Sequence, residues 1–109
     1  MTLNIYENKE VIKTYDMDTY DLMFRTLDDV AGTIKIDQMK TGSEAEIIKI
    51  VGSFVVSNMG TVKDLLKDIF PGITEEEIRN TKLAEIISVF IDVVKYTIEQ
   101  IALLPKSKN

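Results

Sequence analysis

Between Thr81 and Leu104 apolar residues recur with helical period almost without interruption. At 100° per residue Leu83, Ile86, Ile87, Phe90, Val94, Ile98 and Ile101 fill one side, and Val89, Val93 and Ile91 widen the arc to about half the circumference. One neighbouring helix covers a narrower stripe than that. Any fold must therefore surround this segment with several elements or leave part of it for another chain. Leu83, Phe90 and Val94 lie at the centre of the arc and are expected in the core. Val89 and Val93 lie at its edge and, with Ile98, are the expected partner-binding residues.

The preceding segments carry local signals for what does the surrounding. Thr74 and Glu77 are spaced as a capping box, and Glu75, Glu76 and Glu77 suit the positive end of a helix dipole. Thr61 with Asp64 reads as the start of a short helix carrying Val62, Leu65, Leu66, Ile69 and Phe70, stopped by Pro71-Gly72. Ser43 caps a helix reaching Asn58 and ended by Gly60. There Ile47, Ile50, Val51, Phe54 and Val55 share one side and Val56 falls nearly opposite, the pattern of a central helix with neighbours on both faces.

Asp18 is the expected cap of the first helix, with Met17 and Leu22 as a hydrophobic staple. Tyr20, Met23, Phe24, Leu27, Val30 and Ala31 form its buried face, and Gly32 stops it. Residues 33–42 have too short a pattern to assign. Residues 1–15 read as a hairpin, with Leu3 and Ile5 in one strand, Val11, Thr14 and Tyr15 in the other, and Asn8 in the turn. The expected fold is mainly α, of the α+β class. Four or five helices pack around one core with a small N-terminal hairpin, in a single domain over residues 1–104 followed by a frayed tail at 105–109.

Composition narrows the chemistry. The chain has no His and no Cys, which removes imidazole bases, thiolates and the usual zinc ligands and argues against an enzyme; no cofactor is expected. Asp28 and Asp29 are neighbours pointing about 100° apart on a helix, so they read as solvated charges rather than a metal pair. Gly52, Gly60 and Gly72 are too dispersed for a phosphate loop. A net charge of -5, spread along the chain, opposes nucleic-acid binding. A helix-turn-helix reading of Thr61–Phe90 would present Glu75, Glu76 and Glu77 to phosphates. The apolar run Ile86–Val94 is far below the roughly 20 residues of a membrane span. Asn4, Glu7, Lys9 and Glu10 break any signal-peptide core, so a soluble intracellular protein is expected. The five methionines are dispersed and read as core filling. Tyr15, Tyr20 and Phe24 could anchor a partner, but core packing is the preferred reading.

The run from Thr61 through Phe70-Pro71-Gly72, Thr74-Glu75-Glu76-Glu77-Ile78, Lys82-Leu83 and Ile86-Ile87 resembles the tail assembly chaperones of long non-contractile-tailed phages (siphophages) of Gram-positive bacteria. In that family a short helix ends in a Phe-Pro-Gly turn, an acidic capped helix follows, and a long apolar helix closes the domain. The resemblance covers residues 43–104, and the earlier segments agree in order and length. It implies a non-structural protein of the host cell cytoplasm that keeps the hydrophobic tape measure protein soluble while the tail tube assembles. A longer frameshifted form would recruit the major tail (tube) protein. The family has no active site, and Phe70, Pro71, Gly72 and Thr74 read as structural. The alternative is a small cytoplasmic helical adaptor or regulator acting through protein-protein contacts. Weak self-association through the wide apolar arc is expected in either case.

Overall fold

The computed structural model describes residues 1–34, 36 and 43–103, with side chains to residue 100. The tail at 105–109, most of the unassigned segment and the side chain of Ile101 lie outside the described residues. The element order is a hairpin, β1 (Thr2–Glu7) and β2 (Glu10–Asp16), a 3-10 turn (Thr19–Asp21), then α1 (Phe24–Ile34), α2 (Glu44–Ser57), α3 (Met59–Ile69), α4 (Glu75–Arg79) and α5 (Leu83–Leu103).

The hairpin closes through Asn8 and Lys9, both at positive φ (53° and 69°), as a two-residue turn of matching twist requires. Leu3 and Ile5 alternate inward from β1 and are buried, while β2 is largely exposed. The pairing is antiparallel with an irregularity at Ile5/Tyr6, so that Ile5 faces Lys13 and Tyr6 faces Val11.

Two carboxylates fasten this hairpin to the helices. Glu85 of α5 accepts from the backbone N–H of Asn4 at 3.0 Å and from the Tyr6 hydroxyl, while the Tyr6 N–H donates to the Asn80 carbonyl at 2.8 Å. Partial burial pushes the Glu85 carboxyl up, but these donors outweigh it and hold it below its ordinary value. Glu77 accepts from the Tyr15 hydroxyl (2.6 Å), the Thr74 N–H (3.0 Å) and Lys13 (3.1 Å), and its own N–H donates to Thr74 Oγ1. The Tyr15 hydroxyl, the Thr74 N–H and then Lys13 lower its pKa to about 2. A carboxyl depressed in the folded state stabilises above its unfolded pKa, and that contribution is lost as pH falls towards the folded value. We expect the wild type to lose stability between about pH 5 and pH 2 partly through Glu77. Glu77→Gln retains a capping-box residue but not the charge. It should flatten that slope in urea midpoints measured across the range. An unchanged slope would show that Glu77 is not a determinant of acid stability.

The capping predictions hold at Ser43, whose Oγ accepts from Glu46 N–H at 3.2 Å, and at Thr74, where both bonds of the box form. Pro71-Gly72 ends α3 with Gly72 at φ +95°, a backbone conformation that a side chain would strain. Phe70 is buried there, its ring 6.1 Å from Tyr15. The α2–α3 boundary differs from expectation. The break is at Asn58, where the helix axes turn by 107°, and Gly60 and Thr61 lie inside α3. Neither α2, α3 nor any other single described helix is long and apolar enough to cross a membrane.

The central helix is α5, not α2. It packs against α1, α2, β1 and the 3-10 turn, and Ile86, Val89, Phe90, Val93 and Val94 are all buried. Val56 points away from this core and is exposed. The α1 segment also departs from its expected phase. Asp18 caps the 3-10 turn by accepting from Tyr20 N–H at 2.9 Å, but Leu22 is then extended (φ −68°, ψ 135°) and the helix restarts at Phe24. The buried positions of α1 become Thr26, Val30 and Ile34, and the helix runs through Gly32. Met17 and Leu22 are half-buried against the core, but Leu22 lies in the extended link rather than inside a helix, so the expected staple is not formed.

Candidate functional site

The restart of α1 creates the most exposed apolar feature of the described surface. Because the core positions fall to Thr26, Val30 and Ile34, the residues at the junction are turned outward. Tyr20 is 81% exposed, Met23 67% and Phe24 79%. The Tyr20 ring stands edge-on to Tyr96 of α5, 5.9 Å between centroids at 78°, which ties the junction to the central helix. Large side chains left in water at neighbouring positions are the usual mark of an interaction surface. Core packing, preferred for Tyr20 and Phe24 from the sequence, applies only to Tyr15, which is half-buried on Phe70.

Charge gathers around this corner. Asp16, Asp18 and Asp92 line a cleft of about 270 Å³ with Met1, Met17 and Thr19. Asp28, Asp29, Asp64 and Asp68 line another of about 300 Å³ between α1 and α3. With Asp21 of the 3-10 turn, eight of the chain's nine aspartates lie around α1 and its approach. Five of them are already near one another in the chain, at positions 16 to 29; folding adds Asp64, Asp68 and Asp92. Among the described residues no cluster of carboxylates could hold a metal ion.

A second apolar surface lies on α2. Ile48 and Val56, two turns apart, are exposed on the same side with Gly52 between them, and Met59 is exposed just past the bend. Nothing lies within 4 Å of where a Cβ on Gly52 would stand, so this face is open.

The residues singled out from the sequence are elsewhere. Val89 and Val93 are 1% and 0% exposed, and Ile98 is half-buried against the core. The wide arc of α5 is covered by α1, α2, β1 and the 3-10 turn rather than left for a partner. Phe90 and Val94 are core as expected, but Leu83, placed at the centre of the arc, is 46% exposed because it opens the helix beyond its neighbours. The signal for the exposed corner was present in the cap at Asp18, which sits only six residues before the start of α1 at Phe24 and can serve a single turn as well as a helix.

A broad groove of about 830 Å³ between the hairpin tip and the α4–α5 junction is lined by Tyr6, Lys9, Ile12, Glu76, Asn80 and Lys82, among others. The Lys82 ammonium sits 4.6 Å from the centre of the Tyr6 ring. Tyr6, Asn80 and Lys82 are engaged in fastening the hairpin.

What this geometry defines is a small α+β globule, a two-stranded hairpin followed by five helices, with apolar surface at the α1 corner and along α2. Compared with protein-family models, with curated proteins and with solved structures, the chain matches none.

Proposed function

We propose that the protein is a tail assembly chaperone of the siphophage type, which holds an apolar, helical segment of the tape measure protein in solution in the host cytoplasm. The observation that carries this reading is the exposed corner of Tyr20, Met23 and Phe24. A protein that shields an extended apolar client needs large apolar side chains in water before the client arrives. The sequence resemblance over residues 43–104 supports the same role. Weak self-association is part of the proposal, with its surface moved from α5 to the open face of α2 around Ile48, Gly52 and Val56.

The test is co-expression with the tape measure protein. The wild type is expected to keep the client in the soluble fraction and to be recovered with it. Tyr20→Ser with Phe24→Ser should leave helix content unchanged and lower the unfolding midpoint only slightly, through the lost Tyr20–Tyr96 contact, since both side chains are exposed, and should send the client to the pellet. A folded double variant that still solubilises the client would overturn the assignment of this corner.

A further inference from the structure

We infer that the α1 corner selects cationic segments, binding an amphipathic helix whose apolar stripe is flanked by Lys or Arg. This rests on the chaperone reading for the existence of a client and adds to it the client's charge.

The argument starts from what surrounds the aromatic patch. Tyr20 adjoins Thr19 of the cleft lined by Asp18 and Asp92, and Phe24 lies one helical turn before Asp28 of the cleft shared with Asp64 and Asp68. Asp92 in turn lies one turn before Tyr96, the residue that Tyr20 packs against, and so borders the patch from α5. Asp21 sits within the patch itself. Arg25 is the one cationic side chain among the described residues of the 3-10 turn and α1. Three lysines of the neighbouring helices are paired elsewhere, Lys95 with Glu44 at 2.9 Å, and Lys63 and Lys67 with Glu75 at 3.3 and 4.0 Å, and the Met1 ammonium at the first cleft donates to the Met17 carbonyl at 2.8 Å. An apolar centre with a predominantly acidic rim meets a partner whose apolar anchors are rimmed by basic residues, and a like-charged rim is rejected. The apolar centre supplies affinity for any hydrophobic helix, and the aspartates decide which one docks fastest and stays.

The same rim excludes two other occupants. An anionic lipid surface would bring phosphates against the aspartates. A second copy docked corner to corner would oppose Asp18, Asp21 and Asp28 with themselves.

The probes are three synthetic helical peptides of roughly 18 residues with one common Leu face, whose polar faces carry Lys, Gln or Glu. Binding is read by fluorescence titration against the full chain. The Lys peptide should bind about tenfold or more tighter than the Glu peptide at low salt, with the Gln peptide between them. The difference should shrink several-fold near 0.5 M salt, about a 4–5 Å screening length. A variant carrying Asp18→Asn, Asp21→Asn and Asp28→Asn keeps a good cap at position 18. It should lose the preference for Lys while binding the Gln peptide as before. Tyr20→Ser with Phe24→Ser should lose all three peptides. Equal affinities for the three peptides, dependent on Tyr20 and Phe24, would overturn the charge selection and leave the chaperone reading standing. Binding that is indifferent to Tyr20 and Phe24, dimerisation abolished by their replacement, or tight binding of phosphatidylserine vesicles would overturn the corner as the client site.

Discussion

Replacing Val89 and Val93 together by Glu is expected to unfold the protein. Both side chains are buried, at 1% and 0% exposure, on the helix that packs against α1, α2, β1 and the 3-10 turn. A carboxylate there has no hydrogen-bond donor to replace water, and stranding even one such charge costs several kcal/mol. Two at i and i+4 add mutual repulsion. Against a total stability of about 5–15 kcal/mol for a domain of this kind, the native state should not survive. Far-ultraviolet circular dichroism should show loss of the helical signal at neutral pH, and the cooperative urea transition should disappear. Retention of a wild-type transition would mean that this face of α5 is open in solution. Loss of client binding in this variant would report unfolding and not a site, which is why the functional test belongs at Tyr20 and Phe24.

Phe90→Ala should be the most damaging single truncation. Phe90 is fully buried on α5, with its ring 6.4 Å from Phe54 of α2 at a 58° tilt. Removing it takes away both its transfer free energy and the contacts of the residues left around the cavity, about 3–5 kcal/mol. Phe90→Leu, which keeps most of the apolar volume, should cost clearly less. Urea unfolding at neutral pH measures both, with the slope of the transition unchanged. A loss below about 1 kcal/mol for the alanine variant would show that α2 and α5 are not packed through this pair.

The features of the chain that could be read before its structure share one property: their partners lie within a few residues. Ser43 bonds to Glu46, Thr74 to Glu77 and Asp18 to Tyr20, and the turn at Asn8 and the stop at Pro71-Gly72 need only their own backbone angles. The hairpin followed by helices, the α+β class and the extent of α5 all follow from such local chemistry and from periodicity. Misplaced boundaries arose where two local signals competed. Asp18 could cap a turn or a helix, and the extended Leu22 resolved it as a turn. Near Asn58, Gly60 and Thr61 offered a stop and a cap, yet the bend came at the asparagine.

The candidate site was legible only in its residue types. An aromatic anchor at Tyr20 and Phe24 could be considered from the sequence, but their exposure depends on the phase in which α1 restarts. That phase is set by how Thr26, Val30 and Ile34 meet the core. Periodicity likewise states which way the side chains of α5 point and says nothing of how many elements arrive to cover them. Val89 and Val93 are enclosed by segments as distant in the chain as β1 and α1, and the aspartates at positions 16 to 29 join Asp64, Asp68 and Asp92 only when α3 and α5 pack beside α1. Caps and turns are satisfied within one turn of chain and so are written in adjacent residues. Burial and the clustering of charge are sums over the whole packed molecule, and they exist only once the helices have docked.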